Sequence, residues 1–111
     1  MTATLPDLLY RRTEELGLDF VMLYPSMGLT ILGLPDEEVR RTATRALNHY
    51  YAEAYAGTRD RLEPVAVLPL FDPQEAIEEL EHAVSLGLRA FVASGAVPRS
   101  VDRDGKPRQW I

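Results

Sequence analysis

The stretch Val65-Ala66-Val67-Leu68-Pro69-Leu70-Phe71-Asp72-Pro73-Gln74-Glu75 decides the fold, because an apolar run leads directly into a helix start. Residues 65–70 lack polar alternation, which is typical of a strand covered on both faces of a parallel sheet. Asp72 is suited to cap a helix, Pro73 to its first position and Glu75 to its third. The stretch therefore predicts a buried parallel strand followed at once by a helix.

The same alternation extends in both directions along the chain. Apolar runs at residues 20–24 and 90–93 predict two further strands. Residues 4–17 and 36–57 predict helices before and after the first strand, and residues 25–35 a loop. From residue 95 the chain becomes polar, so residues 95–111 are predicted to form an irregular tail.

Each predicted helix carries an apolar face at helical spacing, and we expect these faces to be buried. They consist of Leu5, Leu8, Leu9 and Leu16 in the first helix, Val39, Ala43, Ala46, Leu47, Tyr50 and Ala54 in the second, and Ala76, Ile77, Leu80, Ala83 and Val84 in the third.

The predicted fold class is α/β, with three parallel strands alternating with helices in one partial domain over residues 1–111. Right-handed crossovers between sequential parallel strands place every helix on one face of the sheet. The other face of the sheet and both of its edges then stay uncovered. An isolated domain normally avoids such open edges. In a closed barrel that face is the packed interior. The order of elements therefore predicts a partial (β/α)8 TIM barrel.

Composition excludes several functional classes. The 111 residues include twelve basic and seventeen acidic side chains, a net charge of −5, and no Lys/Arg block, which argues against a nucleic-acid partner. The chain has no cysteine, so thiolate metal sites and cysteine nucleophiles are excluded. No apolar run approaches the roughly 20 residues of a membrane span, and no signal pattern begins the chain. We expect a cytoplasmic protein without a membrane partner.

Few side chains are candidates for chemistry. His49 and His82 are the only histidines; we interpret His49 as a half-buried structural residue and His82 as a solvated one. Asp72 follows a strand, where barrel enzymes place catalytic groups, but its role as a helix cap accounts for it. We therefore predict no catalytic residue and no metal ligand in this chain.

One segment is a candidate site rim. Tyr24, Pro25, Ser26, Met27 and Gly28 follow the first strand, and the carboxyl ends of barrel strands are where sites form. The alternative interpretation is that these residues pack against missing parts of the barrel.

Several stretches, in this order, resemble the amidohydrolase-related family, a branch of the metal-dependent hydrolase superfamily that includes aminocarboxymuconate-semialdehyde decarboxylase. They are Leu23-Tyr24-Pro25-Ser26-Met27-Gly28-Leu29, Arg45-Ala46-Leu47-Asn48 with Tyr51-Ala52-Glu53, Asp60-Arg61-Leu62-Glu63-Pro64-Val65-Ala66, Leu68-Pro69-Leu70-Phe71-Asp72-Pro73-Gln74-Glu75-Ala76 and Leu86-Gly87-Leu88-Arg89-Ala90.

The resemblance implies a segment of a (β/α)8 barrel that, when complete, uses zinc or a similar divalent ion for hydrolysis or non-oxidative decarboxylation. It also implies ligands from a His-x-His on the first strand, a later histidine and a final aspartate. None of those positions exists in this sequence, so the chain resembles an early-middle slice of about three strand–helix units, truncated relative to the family. The resemblance therefore assigns no catalytic residue to this sequence, and we expect no cofactor in this chain alone.

Three functional hypotheses remain open. The first is a barrel fragment, from a truncated gene or a split product, that is inactive without the remainder of the barrel. The second is a standalone α/β binding or interaction module that self-associates into an oligomer through its bare sheet face. The third is a metal-free enzyme using His49 or Asp72, for which the sequence offers no supporting arrangement.

Overall fold

The computed structural model describes residues 5–100 and 107–110, and side-chain surroundings for residues 5–96. The helices are α1 (Pro6–Arg12), α2 (Ser26–Leu32), α3 (Glu37–Ala54) and α4 (Pro73–Ser85). The strands are β1 (Val21–Leu23), β2 (Leu62–Pro64), β3 (Ala66–Leu68), β4 (Phe91–Ala93), β5 (Val97–Ser100) and β6 (Pro107–Trp110). In the described part of the chain, no helix is both long and apolar enough to span a bilayer.

The strands β2 and β3 are two halves of one central run joined at Val65. β2 pairs in parallel with β1, and β3 pairs in parallel with β4. The Val65 N–H donates to the Leu23 carbonyl at 3.0 Å, while the next amide, Ala66, donates to the Ala90 carbonyl at 2.9 Å. Consecutive amides thus face opposite neighbours, as in a central strand. This confirms three parallel strands in sequential order, alternating with helices.

The core lies where the helices meet this central run. Two clusters of buried side chains form it: Ala52, Ala66, Ala83 and Leu88 in one, and Leu9, Tyr55 and Leu62 in the other. Every residue from 62 to 69 is buried, which confirms the predicted buried run for residues 65–69, whereas Leu70 is exposed.

The prediction of a loop over residues 25–35 is wrong, because Ser26–Leu32 forms α2. This helix lies close against β3 at Gly28, where an added Cβ would overlap the Val67 side chain and approach Leu47 to 3.2 Å. A glycine therefore sets how closely α2 approaches the sheet.

Gly28→Val is expected to destabilise the fold by about 1–3 kcal/mol, since the new side chain must displace a buried neighbour. Chemical denaturation followed by far-UV circular dichroism measures the loss. Gly57→Val is the matched control, because no atom lies within 4 Å of an added Cβ there. Equal losses for the two variants would contradict the close approach.

The expected apolar faces of the long helices are largely wrong. In α3 the buried residues are Arg40, Thr44, Asn48 and Ala52, while Val39 and Tyr50 are exposed. In α4 the buried residues are Glu75, Glu79 and Ala83, while Ile77, Leu80 and Val84 are exposed. Both helices turn a polar stripe inward because the charged side chains on facing helices pair with each other.

The first helix and the tail also differ from expectation. α1 ends at Arg12, with Leu9 buried and Leu16 exposed, while Thr4 lies outside the described residues. Gly17, the last residue of the predicted helix, lies beyond the end of α1 and adopts the left-handed conformation, with φ of 71°. The irregular tail predicted for residues 95–111 is wrong in part, because β5 and β6 form an antiparallel pair. Residues 101–106 and 111 lie outside the described part.

Candidate site at the carboxyl edge of the sheet

The parallel strands end on one side of the sheet, and three connections leave from there. Tyr24 and Pro25 follow β1, residues 69–72 follow β3, and Ser94 follows β4. In barrels built of such strands, this edge carries the active site. It is therefore the candidate functional site.

The five predicted rim residues divide into two groups. Tyr24 and Met27 are 63% and 77% exposed, and Ser26 is exposed at the start of α2. Pro25 and Gly28 are buried beneath them. The exposed members present a phenol ring, a hydroxyl and a thioether, which suit an aromatic or apolar ligand. Their role in a site stays a prediction.

The polar residues of this edge have local structural roles. The Asp72 carboxylate accepts a hydrogen bond from the Gln74 N–H at 3.0 Å, which confirms that it caps α4. The Ser94 hydroxyl donates to the Ala96 carbonyl at 2.6 Å. Neither side chain contacts a group that would act as its base.

Both histidines lie on helices, away from the strand ends. His49 is exposed, with Nε2 3.4 Å from the Glu53 carboxylate, so the expectation of a half-buried residue is wrong. His82 is half-buried rather than solvated, and its Nε2 has no hydrogen-bond partner among the described residues. Within residues 5–96, no three His, Asp or Glu side chains are grouped so that they could hold a metal ion. The described residues therefore do not fit the zinc site that the resemblance implies.

Sequence reasoning missed a buried ion pair behind this edge. Arg40 donates from Nε and Nη2 to the two carboxylate oxygens of Glu75, at 2.8 and 2.7 Å, and the two side chains are 3% and 2% exposed. Arg40 Nη1 also donates to the Leu34 carbonyl at 2.8 Å, and its guanidinium lies 3.9 Å from the Phe71 ring centroid. The hydrogen bond to Glu75 raises the pKa of Arg40. This pair ties the α2–α3 connection to the β3–α4 connection.

A second set of buried polar side chains supplies hydrogen bonds to β3 at the point where β1 has ended. Asn48 donates from Nδ2 to the Val67 carbonyl and accepts at Oδ1 from the Val67 N–H, at 2.9 and 2.8 Å. The same amide donates to Glu79 at 2.9 Å, and Arg45 donates to Glu79 at 3.2 Å. The side chain of Asn48 thus takes the place of a neighbouring strand.

The signal for both groups was present in the sequence as polar residues four apart. Arg40, Thr44 and Asn48 share one face of α3, and Glu75 and Glu79 share one face of α4. These buried faces are not recognisable locally, because the partners of Glu75 and Glu79 lie 31 to 35 residues earlier in the chain.

A carboxylate at the opposite end of the sheet holds the loops at the amino ends of the strands. Glu63 accepts hydrogen bonds from Arg89 at 2.7 Å and Arg59 at 2.8 Å, and Arg59 also donates to the Gly87 carbonyl. Burial alone would raise the pKa of Glu63, but the hydrogen bonds and charges of both arginines outweigh it, so its pKa lies below the ordinary value.

The lowered pKa of Glu63 predicts an acid-sensitive contribution to stability. A depressed folded pKa means that the contribution is complete above the pKa of the unfolded carboxyl group, near 4.5, and is lost as pH falls through the folded pKa. Glu63→Gln is expected to cost about 1–2 kcal/mol at neutral pH. Urea unfolding between pH 7 and 2.5 measures this, with exposed Glu53→Gln as the control. An unchanged pH slope in Glu63→Gln would contradict it.

Comparison with known proteins shows that the fold of this chain is similar to parts of solved structures. No protein-family model and no curated protein matches the chain. It is similar to the crystal structure of 2,6-dihydroxybenzoate decarboxylase from Rhizobium, with a TM-score of 0.70 and 26% identity over 90% of this chain and 30% of that one. It is also similar to a 2,6-dihydroxybenzoate decarboxylase complexed with 2,6-dihydroxybenzoate, with a TM-score of 0.72 and 28% identity over the same shares.

The chain therefore spans about 30% of the length of the decarboxylases it matches. This likeness supports the partial-barrel fold class and the resemblance at the level of the superfamily, as a segment of a larger enzyme fold. It gives no support to the narrower aminocarboxymuconate-semialdehyde decarboxylase-like branch.

Proposed function

We propose that this chain is a segment of a (β/α)8 metal-dependent hydrolase or decarboxylase, and that its catalytic site is completed by polypeptide outside this sequence. The observation that carries the proposal is the unequal coverage: 90% of this chain matches 30% of a decarboxylase chain. The sequential parallel strands and open edges of the sheet agree with such a slice.

The proposed reaction is non-oxidative decarboxylation of an aromatic carboxylate. The supporting fact is that the matched structures are 2,6-dihydroxybenzoate decarboxylases, one of them complexed with 2,6-dihydroxybenzoate. The contribution proposed for this chain is the rim at the end of β1, where exposed Tyr24 and Met27 would contact an aromatic ring. We also propose that the protein belongs to the aminocarboxymuconate-semialdehyde decarboxylase-like branch of the superfamily. We propose a cytoplasmic location for it as well.

The divalent ion implied by the resemblance would be held by residues outside this chain. Among the described residues, no group of His, Asp and Glu side chains could hold a metal ion. What this chain supplies is scaffold: the Arg40–Glu75 pair fixes the connections at the carboxyl edge, and Asn48 fixes β3 beside them. The chain alone is therefore proposed to be inactive.

The alternative function is a standalone self-associating module. The exposed apolar side chains favour it, since a monomer leaves Phe20, Met22, Val84 and Phe91 in water. Such a module would bind a partner through the gathered strand ends without catalysis.

A chimera tests the proposal. The matched segment of the Rhizobium 2,6-dihydroxybenzoate decarboxylase is replaced by the matched residues of this chain, and the product is examined by near-UV circular dichroism and thermal melting. We expect a cooperatively melting barrel, because the segment carries the same sequential strands. The same chimera with Gly28→Val is the control, and its melting temperature should fall.

The isolated chain is assayed in parallel for carbon dioxide release from 2,6-dihydroxybenzoate with added zinc or manganese. We expect no release above the uncatalysed rate. Release that scales with the concentration of the chain would overturn the proposed inactivity. A chimera without a cooperative melt, beside a well-folded isolated chain, would favour the standalone module.

A further inference from the structure

We propose that the cavity between α3 and α4 binds a small polyol, an uncharged molecule that carries several hydroxyl groups. The cavity has a volume of about 230 Å³. Its walls are mostly polar side chains of the two helices: Arg41, Thr42, Thr44 and Arg45 on α3, with Glu78 and Glu79 on α4. Both helices belong to this chain, so the site needs no polypeptide outside this sequence and does not depend on the proposed reaction.

The hydroxyl of Thr44 is the observation that points to a ligand. Thr44 is 0% exposed, and its Oγ1 has no hydrogen-bond partner among the described residues. A threonine inside a helix can donate to the carbonyl four residues before it, but Thr44 makes no such bond to Arg40. Buried polar groups in folded proteins are nearly always hydrogen-bonded. The hydroxyl is therefore available to a molecule in the cavity.

Arg41 brings a second unpartnered group to the same cavity. Residues 41 and 44 share one face of α3, because they are three positions apart. The buried Nε of Arg41 lies 3.0 Å from a carboxylate oxygen of Glu37, but it makes no aligned hydrogen bond within the described part of the chain. A ligand oxygen beside these two side chains would accept from the Arg41 Nε–H and from the Thr44 hydroxyl.

The charges around the cavity are balanced, which favours an uncharged ligand. The Arg41 guanidinium pairs with Glu78 at 3.0 Å. Arg45 pairs with Glu79 at 3.2 Å. The third lining carboxylate, that of Glu75, already belongs to the buried ion pair. An anion would have to displace a glutamate, and a cation would have to displace an arginine, whereas an uncharged molecule leaves every pair in place.

Hydroxyl groups suit these walls because they combine both hydrogen-bonding roles. A guanidinium group only donates hydrogen bonds and a carboxylate only accepts them, whereas a hydroxyl does both. A polyol can therefore bond to donors on α3 and to acceptors on α4 at the same time. At roughly 30 Å³ per water molecule, the cavity of about 230 Å³ has room for a polyol of about four to six carbon atoms. Exposed Thr42 and Arg45 also line the cavity, so it opens to the surface.

Titration of the full ¹⁵N-labelled chain with erythritol, xylitol and sorbitol tests the inference, with amide chemical shifts as the measurement. We expect saturable shifts in the first halves of α3 and α4, with a dissociation constant on the order of millimolar. Sodium phosphate and ammonium chloride serve as the anionic and cationic probes. Neither salt is expected to shift these amides in a saturable way.

Thr44→Val removes the hydroxyl and keeps the shape of the side chain. We expect the affinity for the polyol to fall at least about fivefold, while the denaturation midpoint without ligand does not fall, because the hydroxyl has no protein partner to lose. Thr58→Val is the matched control: Thr58 is also buried, does not line the cavity, and donates to the Tyr55 carbonyl at 3.2 Å. Thr58→Val should lower the midpoint and leave the affinity unchanged.

Far-UV circular dichroism checks that each variant is folded. If Thr44→Val loses structure, Thr42→Val decides, because Thr42 is exposed and lines the same cavity, so its variant should also bind more weakly. The absence of a saturable shift with all three polyols would overturn the inference, since the cavity would then hold water only. Saturable shifts with phosphate or ammonium but with no polyol would overturn it too, as would an affinity that Thr44→Val leaves unchanged.

Discussion

Replacing Glu75 by Leu is expected to destabilise the fold by about 3–5 kcal/mol, because it leaves Arg40 buried without its carboxylate partner. The pair is bidentate at 2.7 and 2.8 Å, and neither side chain is exposed by more than 3%. An uncompensated guanidinium in that position has only the Leu34 and Pro35 carbonyls as acceptors. Denaturant unfolding followed by circular dichroism measures the loss.

Two further variants separate the buried charge from the lost packing. Glu78→Leu, one turn along the same helix, removes a half-exposed partner of Arg41 and is expected to cost less than about 1 kcal/mol. The double variant Arg40→Met with Glu75→Leu is expected to recover most of the loss, because no charge is left unpaired. Equal losses for Glu75→Leu and Glu78→Leu would contradict the importance of the buried pair.

This pair also shows why the sequence predicted the strands better than the helix faces. A strand buried on both faces is apolar throughout, so the run at residues 65–70 needs no knowledge of its neighbours. A helix face is identified by the location of its apolar residues, and that rule fails where buried charges pair across 35 residues. In α3 and α4 the large apolar residues Val39, Tyr50, Ile77, Leu80 and Val84 are exposed instead.

The candidate site was predictable in position but not in detail. Parallel strands with sequential connections fix one edge as the place where the loops after β1, β3 and β4 meet. The helix α2 was missed because Pro25 starts it without a side-chain cap, and its exposed Met27 and Leu29 give no amphipathic pattern. Local sequence signals for a seven-residue helix are weak compared with its packing at Gly28 against β3.

Asn48→Leu is expected to cost about 2–4 kcal/mol, because three buried groups lose a hydrogen-bond partner while the side-chain volume stays similar. Those groups are the N–H and C=O of Val67 and the carboxylate of Glu79. The neighbouring His49→Leu is the matched control; His49 is exposed, so its loss should stay within about 0.5 kcal/mol.

Hydrogen exchange distinguishes this role from general packing. The Val67 amide bonds to Asn48 at 2.8 Å, whereas the adjacent Ala66 amide bonds to Ala90 on β4. In Asn48→Leu the Val67 amide should therefore exchange much faster, while the Ala66 amide changes only with the global stability. If the two amides keep the same ratio of rates as in the unmodified chain, Asn48 does not act as the missing strand. A selective change at Val67 would instead mean that a side chain on α3 supplies the hydrogen bonds that β1, ending at Leu23, is too short to give.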